Sequence, residues 1–417
     1  MNTATASAMA TPQSFRELWL ICTAHGLTHW YVATFYILLP LIGKELGLSY
    51  TEIGLIMTVQ YVAGAISNLP SGFIADTVGR KGYLMAISLF WVGFPYALMS
   101  LAHEFWVLLI CVALVGTGNN LWHPAAIPTL AHRYPDRKGW VLSLHGMGGN
   151  VGEAIAPLVI GALLVWFSWR TVVVANVVPG LVMSVIILVL LGALAAAQAG
   201  SADAINAAAE KRSLKHYLRD FASLLRNKAV MLIAFSASLR TMTQAGLLTF
   251  LPVYLAYELN YSPFAVGACL TVIQLAGFMS APIAGHLSDK MGRKRVVTSS
   301  MVLTAVAIVG MALAGQSVVF VLFIALVGFF LYATRAVMQA WALESSPKNM
   351  AGTSIGLQFG VQAVGSSISP AIFGMIADAH GLFAGFYFLA GIIVFANVLV
   401  YFIPNGETTR ARPAAAV

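Results

Sequence analysis

The sequence predicts an all-α integral membrane protein, with twelve transmembrane helices in two pseudo-symmetric six-helix bundles. Three observations predict it. Hydrophobic residues make up 59% of the 417 and charged residues only 9%, with a mean hydropathy of +0.84. A soluble domain carries about 25% charged residues, so this chain cannot cover its surface in water. Apolar runs of ~20 residues, enough to cross ~30 Å of hydrocarbon, recur from residue 17 to residue 403. Finally, one turn is written twice: Gly72-Phe73-Ile74-Ala75-Asp76-Thr77-Val78-Gly79-Arg80-Lys81 returns as Gly285-His286-Leu287-Ser288-Asp289-Lys290-Met291-Gly292-Arg293-Lys294. The same offset of 213 residues pairs Gly139 with Gly352, His145 with Gln358, Gly152 with Gly365, Pro157 with Pro370 and Gly161 with Gly374. A duplicated membrane unit implies transport.

The elements follow in order. Residues 1–14 are small and polar, an N-terminal tail without the basic n-region of a signal peptide. The first apolar run, 17–43, exceeds a signal-peptide core and stays as the first span. The second, 52–75, leads into the first copy of the turn, whose glycines permit a tight reversal. Runs 83–101, 105–130, 139–165 and 169–196 complete a bundle over 15–197. Residues 198–228 begin Ala/Gly-rich and become basic, with Lys211, Arg212, Lys215, Arg219, Arg226 and Lys228. They read as a linker helix lying on the cytoplasmic lipid face. Runs 229–257, 263–287, 296–314, 318–343, 350–377 and 381–403 repeat the plan over 229–405, with the second turn after the eighth. Residues 406–417 form a polar tail. Six spans per copy give both copies one orientation, so an axis along the membrane normal relates them and a substrate path lies between them.

The net charge of +8 encodes topology and not a nucleic-acid surface. With a cytoplasmic N-terminus, only Lys44 and Arg170 fall on outer segments, and only Arg240 and Arg335 fall within spans. The remaining Lys and Arg sit on the cytoplasmic side, which is the positive-inside bias. Both termini are therefore expected in the cytoplasm of a bacterial inner-membrane protein. Cys22, Cys111 and Cys269 have no ligand-type spacing and read as apolar filler.

The Gly-x-x-x-Asp-x-x-Gly-Arg-Lys turn, present in both halves of a twelve-span chain, resembles the signature of the major facilitator superfamily over residues 15–405. The resemblance implies that Asp76, Arg80, Asp289 and Arg293 gate the cytoplasmic side. Gly116-Thr117-Gly118-Asn119-Asn120-Leu121-Trp122-His123-Pro124, followed by Gly148-Gly149-Asn150-Val151-Gly152-Glu153-Ala154-Ile155-Ala156-Pro157-Leu158, is similar to the fosmidomycin-resistance branch of bacterial efflux proteins. Glu153 and the Ala156-Pro157 pair depart from that branch. In the superfamily, spans one, four, seven and ten line the path.

Ionisable side chains inside a membrane are costly and mark function. His25 and His29 stand one turn apart on the first span, and Glu153 falls near the midplane of the fifth. A buried carboxyl switches proton affinity as a cation approaches or leaves, so Glu153 is the expected proton carrier, with His25 and His29 as relays. They could equally fix helix packing. The two histidines have metal-ligand spacing, with His123 or Glu153 as a third ligand, but no Cys, Asp or Met cluster accompanies them and no metal is assigned. Arg240 and Arg335 offer forked donors to a carboxylate or phosphonate; compensation of Glu153 and Glu344 is the competing role. His123, Asn119, Tyr36, Gln244, Gln339 and Gln358 join them as substrate-binding candidates.

These residues point to a monomeric, proton-coupled antiporter exporting a small drug-like or anionic compound, without a cofactor. Coupled uptake of an organic anion or metal chelate is the alternative. No nucleotide loop or catalytic triad supports an enzyme. The expected proton and solute groups are not duplicated: Glu153 aligns with Ser366 and His145 with Gln358.

Overall fold

The computed structural model describes residues 15–77, 80–191, 214–314, 318–347 and 350–404. These residues are helical almost throughout, with no strand among them. The helices are α1 (Phe15–Leu46), α2 (Tyr50–Thr77), α3 (Lys81–Met99), α4 (Phe105–Asn119), α5 (Trp122–Arg133), α6 (Lys138–Leu163) and α7 (Trp169–Leu191). They continue as α8 (Leu214–Arg226), α9 (Lys228–Tyr257), α10 (Pro263–Met291), α11 (Arg293–Ala314), α12 (Val318–Glu344), α13 (Ala351–His380) and α14 (Leu382–Tyr401). Counting α4 and α5 as one span, ten are long and apolar enough to cross a membrane. Helices α2 and α9, of 28 and 30 residues, have the length as well and complete the twelve. Trp19, Phe73, Trp106, Trp166, Leu313 and Tyr401 are exposed large apolar side chains, a surface suited to lipid.

Local chemistry sets the helix ends. Ser49 Oγ accepts from Glu52 N while Ser49 N donates to Glu52 Oε2, a reciprocal cap that starts α2. Asn227 Oδ1 caps Ala229 N and Val230 N at the start of α9. Ser262 Oγ accepts from Ala265 N, with Pro263 as the first residue of α10. In the second copy of the turn, Gly292 has φ of 91°, which a side chain would resist. The fourth span, expected to be continuous, is broken at Asn120–Leu121. Pro124 has no N–H and its ring crowds the Asn120 carbonyl, so α4 stops and α5 restarts.

Contacts gather the described chain into two compact units. The first holds α1 to α7 together with Leu248–Gln274; the second holds α8, the start of α9 as far as Leu247, and Leu275 onward. In the first, α1 lies along α6, α3 along α7 and α2 along α4. The α1–α6 crossing is backbone on backbone. A Cβ on Gly152 would collide with the Gly26 carbonyl, standing 2.7 Å from its carbon and nearer still to its oxygen. Small residues at such a crossing are how helices approach closely in lipid. The α9–α10 segment joins the same unit by a similar approach: Cβ atoms on Gly161 and Gly267 would meet the carbonyls of Pro263 and Pro157 respectively. In the second unit, α11 packs on α12 and α14, the counterparts of α3 with α4 and α7. Gly365 there stands against Ser238, repeating Gly152 against Gly26.

Candidate functional site

The first unit concentrates ionisable side chains on α1, α5 and α6, with an amide from α10 beside them. Successive histidines on α1 are separated by one turn, so His25 and His29 project side by side with rings 4.6 Å apart at 88°. His29 Nδ1 lies 2.6 Å from Glu153 Oε1 on α6, each side chain about a quarter exposed. Gln274 Nε2 on α10 donates to the other carboxylate oxygen, Glu153 Oε2, at 3.1 Å. The close α1–α6 crossing at Gly152, one residue before Glu153, permits the first of these contacts. His25 is buried; its Nδ1 donates to the His145 carbonyl at 2.6 Å and its Nε2 lies 3.1 Å from His123 Nε2. The His145 ring stacks on that of His25 at 3.8 Å and 14°. Tyr36 and Tyr61 share a hydrogen bond of 2.6 Å between hydroxyls, and Asn119 Oδ1 is buried without a hydrogen-bond partner.

The second unit carries a buried guanidinium. Arg240 on α9 is 2% exposed. Its Nε and Nη2 both donate to the Leu331 carbonyl at 2.9 Å, and Nη1 donates to Gln244 Oε1 at 2.5 Å. The Tyr332 ring lies 5.4 Å from its central carbon. Arg335, exposed on α12, is near enough for its charge to act on Arg240. On the adjoining face Thr241 donates to Gln362 Oε1, and Gln358 is buried with Nε2 unpaired. Gln339 is half-buried on α12. A buried guanidinium satisfied by neutral carbonyl oxygens keeps its full charge for an incoming anion.

The repeated turn is described in its second copy. Arg293 Nη1 pairs with Asp289 at 2.6 Å and Nη2 with Glu344 at 2.8 Å, tying α10, α11 and the end of α12. Glu344 is thus engaged by Arg293. In the first copy, Arg80 is exposed and lies 5.7 Å over the Tyr83 ring; the Asp76 side chain and Gly79 fall outside what is described. The linker expected at 198–228 is described from residue 214, where α8 begins.

The structure therefore brings His25, His29, His123 and Glu153 together, and separately Arg240, Gln244 and Arg335. Gln274, Tyr61, Thr241 and Gln362 were missed by sequence reasoning. Gln274, a lone amide in an apolar span, carried the same signal that singled out Glu153.

Comparison with known proteins supplies the context. The family model described as Major Facilitator Superfamily matches residues 21–254 and 233–416. A hexuronate transporter of Bacillus subtilis (strain 168) is 29% identical over 378 residues, covering 87% of each chain. The fosmidomycin resistance protein of Escherichia coli (strain K12) is 23% identical over 404 residues, covering 97% of this chain and 96% of its own. The inward-facing, unoccupied crystal structure of a bacterial homologue of the human lysosomal transporter Spinster shares the fold, with a TM-score of 0.79 at 15% identity over 94% of this chain and 97% of that one.

Proposed function

The chain belongs to the major facilitator superfamily and is a multi-pass secondary transporter, not an enzyme; we propose that it is a proton-coupled antiporter exporting a small anionic or drug-like compound. The moving bodies are residues 15–197 and 229–405, joined by the linker 198–228, and the protein works as a monomer in a bacterial inner membrane with both termini cytoplasmic. Residues 1–14 and 406–417 are tails outside this exchange.

The observation that carries the reading is the Glu153 carboxyl held between His29 on α1 and Gln274 on α10. Gln274 belongs to the later sequence repeat and Glu153 to the earlier one, so within the first compact unit the hydrogen bond joins the two repeats. An ionised carboxylate accepts from both partners. A protonated carboxyl keeps one oxygen as acceptor and turns the other into a donor, which weakens the grip on one side. Loading a proton on Glu153 thus loosens the Glu153–Gln274 link between α6 and α10, and release restores it. The residues that recognise the solute are Arg240, Arg335, Gln244, Gln339 and Gln358 of the second unit, together with His123, Asn119 and Tyr36 of the first. Asp76 and Asp289, with Arg80 and Arg293, close the cytoplasmic ends.

The test is flux in proteoliposomes under an imposed pH gradient, across hexuronates, phosphonates and dyes. Glu153→Gln is expected to abolish gradient-driven flux while leaving solute exchange at equal pH intact. Undiminished gradient-driven flux would remove Glu153 from the mechanism. A second reading, proton-coupled uptake of an organic anion or metal chelate, is favoured by the buried Arg240 and by a relative named for hexuronate, a carboxylate. Protons moving with the solute would establish it; protons moving against the solute establish export.

A further inference from the structure

The proton step uses Glu153, His29 and Gln274 and leaves His25, His123 and His145 outside it. We propose that His25, His123 and His145 form a binding site for a late first-row divalent cation of the zinc class, tying α1, α5 and α6 together. Their donor nitrogens all lie within 4.8 Å of one another. His25 Nε2 and His123 Nε2 are 3.1 Å apart; two nitrogens each ~2.0–2.1 Å from a tetrahedral zinc stand about 3.3 Å apart. The tautomer of His25 is settled by its other nitrogen. Nδ1 lies 2.6 Å from the His145 carbonyl oxygen, which can only accept, so the proton sits on Nδ1 and the Nε2 lone pair faces His123. An imidazole backed by a carbonyl in this way is oriented as metal-bound histidines are.

His145 supplies the independent observation. It is 3% exposed, and neither Nδ1 nor Nε2 has a hydrogen-bond partner. A buried imidazole with both nitrogens unmet is unfavourable, and a cation beside His25 supplies the missing partner after a rotation of the stacked ring. Three imidazoles leave the fourth tetrahedral position to water. They select zinc, copper or nickel over magnesium or calcium, which prefer oxygen. His29 lies outside this group of converging nitrogens, with its Nδ1 on Glu153. The grouping therefore differs from the His25–His29 pair that sequence spacing suggests. The Glu153 carboxyl, one ring removed, offsets part of the cation's charge where water is scarce.

The test needs no transport and is independent of proton coupling and of transport direction. Full-length protein purified through a tag without histidines is stripped with chelator and titrated with Zn2+, and bound metal is counted after gel filtration. About one equivalent is expected, with His123→Asn and His145→Asn each weakening binding by more than about tenfold, and His380→Asn, at an exposed helix end, leaving it unchanged. Co2+ gives a second readout on unaltered protein: an intense tetrahedral visible spectrum supports the site. No retained Zn2+, equal binding by the double variant H123N/H145N, or only the weak spectrum of octahedral Co2+ would each overturn the proposal.

Discussion

Replacing Gly152 with Ala tests whether the α1–α6 crossing holds the proposed proton site together. The added Cβ would stand 2.7 Å from the Gly26 carbonyl carbon and nearer still to its oxygen, so relieving the carbon contact alone to the 3.4 Å of ordinary contact opens the crossing by at least about 0.7 Å. The obstacle is backbone, so no rotamer change relieves it. Forced overpacking of this kind costs about 1–3 kcal/mol. The same opening carries the His29–Glu153 contact from 2.6 Å past the ~3.2 Å limit of a good N–H···O bond, and losing a hydrogen bond to a charged group adds about 1.5–3 kcal/mol. Two other glycines calibrate the effect. Gly365→Ala meets Ser238, with the backbone oxygen at 2.7 Å but the carbonyl carbon at 3.3 Å, and should fall between. Gly146→Ala, in the same helix with nothing within 4 Å, should gain about 0.5–1 kcal/mol from helix propensity alone. Thermal unfolding of the purified variants by tryptophan fluorescence gives the order, and pH-driven flux in proteoliposomes gives the functional consequence. The expected order of stability is G146A, then G365A, then G152A, with flux lost in G152A. If G152A and G146A unfold alike and transport alike, the close crossing does not hold the site.

Two further outcomes follow from the second unit. Arg240→Lys keeps the charge but loses the double donation to the Leu331 carbonyl; affinity for anionic solutes should fall at least tenfold while neutral dyes are unaffected, and unchanged anion affinity in a binding assay would count against the anion site. Arg293→Ala removes two ion pairs whose acids are more than half exposed, so stability should change by less than about 1 kcal/mol while turnover falls. Turnover equal to that of the parent protein would make the turn a topological anchor only.

How much could be read in advance differs from element to element. The apolar spans and the glycine-permitted reversal of the repeated turn depend on neighbours in sequence and are legible there, whereas the equally local Ser49–Glu52 cap emerges only in the structure. The break at Asn120–Leu121 carries a local signal in Pro124, but the apolar run 105–130 continues across it, and hydropathy alone does not mark a break. At the site, the cost of ionisable groups in lipid singled out His25, His29, Glu153 and Arg240 individually. Their partners were not legible, since His29 meets Glu153 across 124 residues and Arg240 is satisfied by a backbone carbonyl, which has no side-chain signature. The sequence offers His145 only as the counterpart of Gln358; that its ring stacks on His25 with both nitrogens unmet is a fact of packing alone.

The membership of Leu248–Gln274 in the first compact unit has a consequence for biogenesis. Chains are inserted in order of synthesis, N-terminal helices first, so α1 to α7 enter the bilayer before the segment that faces Gly161 and supplies the amide for Glu153 has been translated. During that interval the nascent first half exposes a seam of small residues, and the Glu153 carboxyl lacks the amide of Gln274. Its maturation must wait for the ribosome to deliver the ninth and tenth helices, so a truncated N-terminal half expressed alone should be a substrate for membrane quality control rather than a stable half-protein.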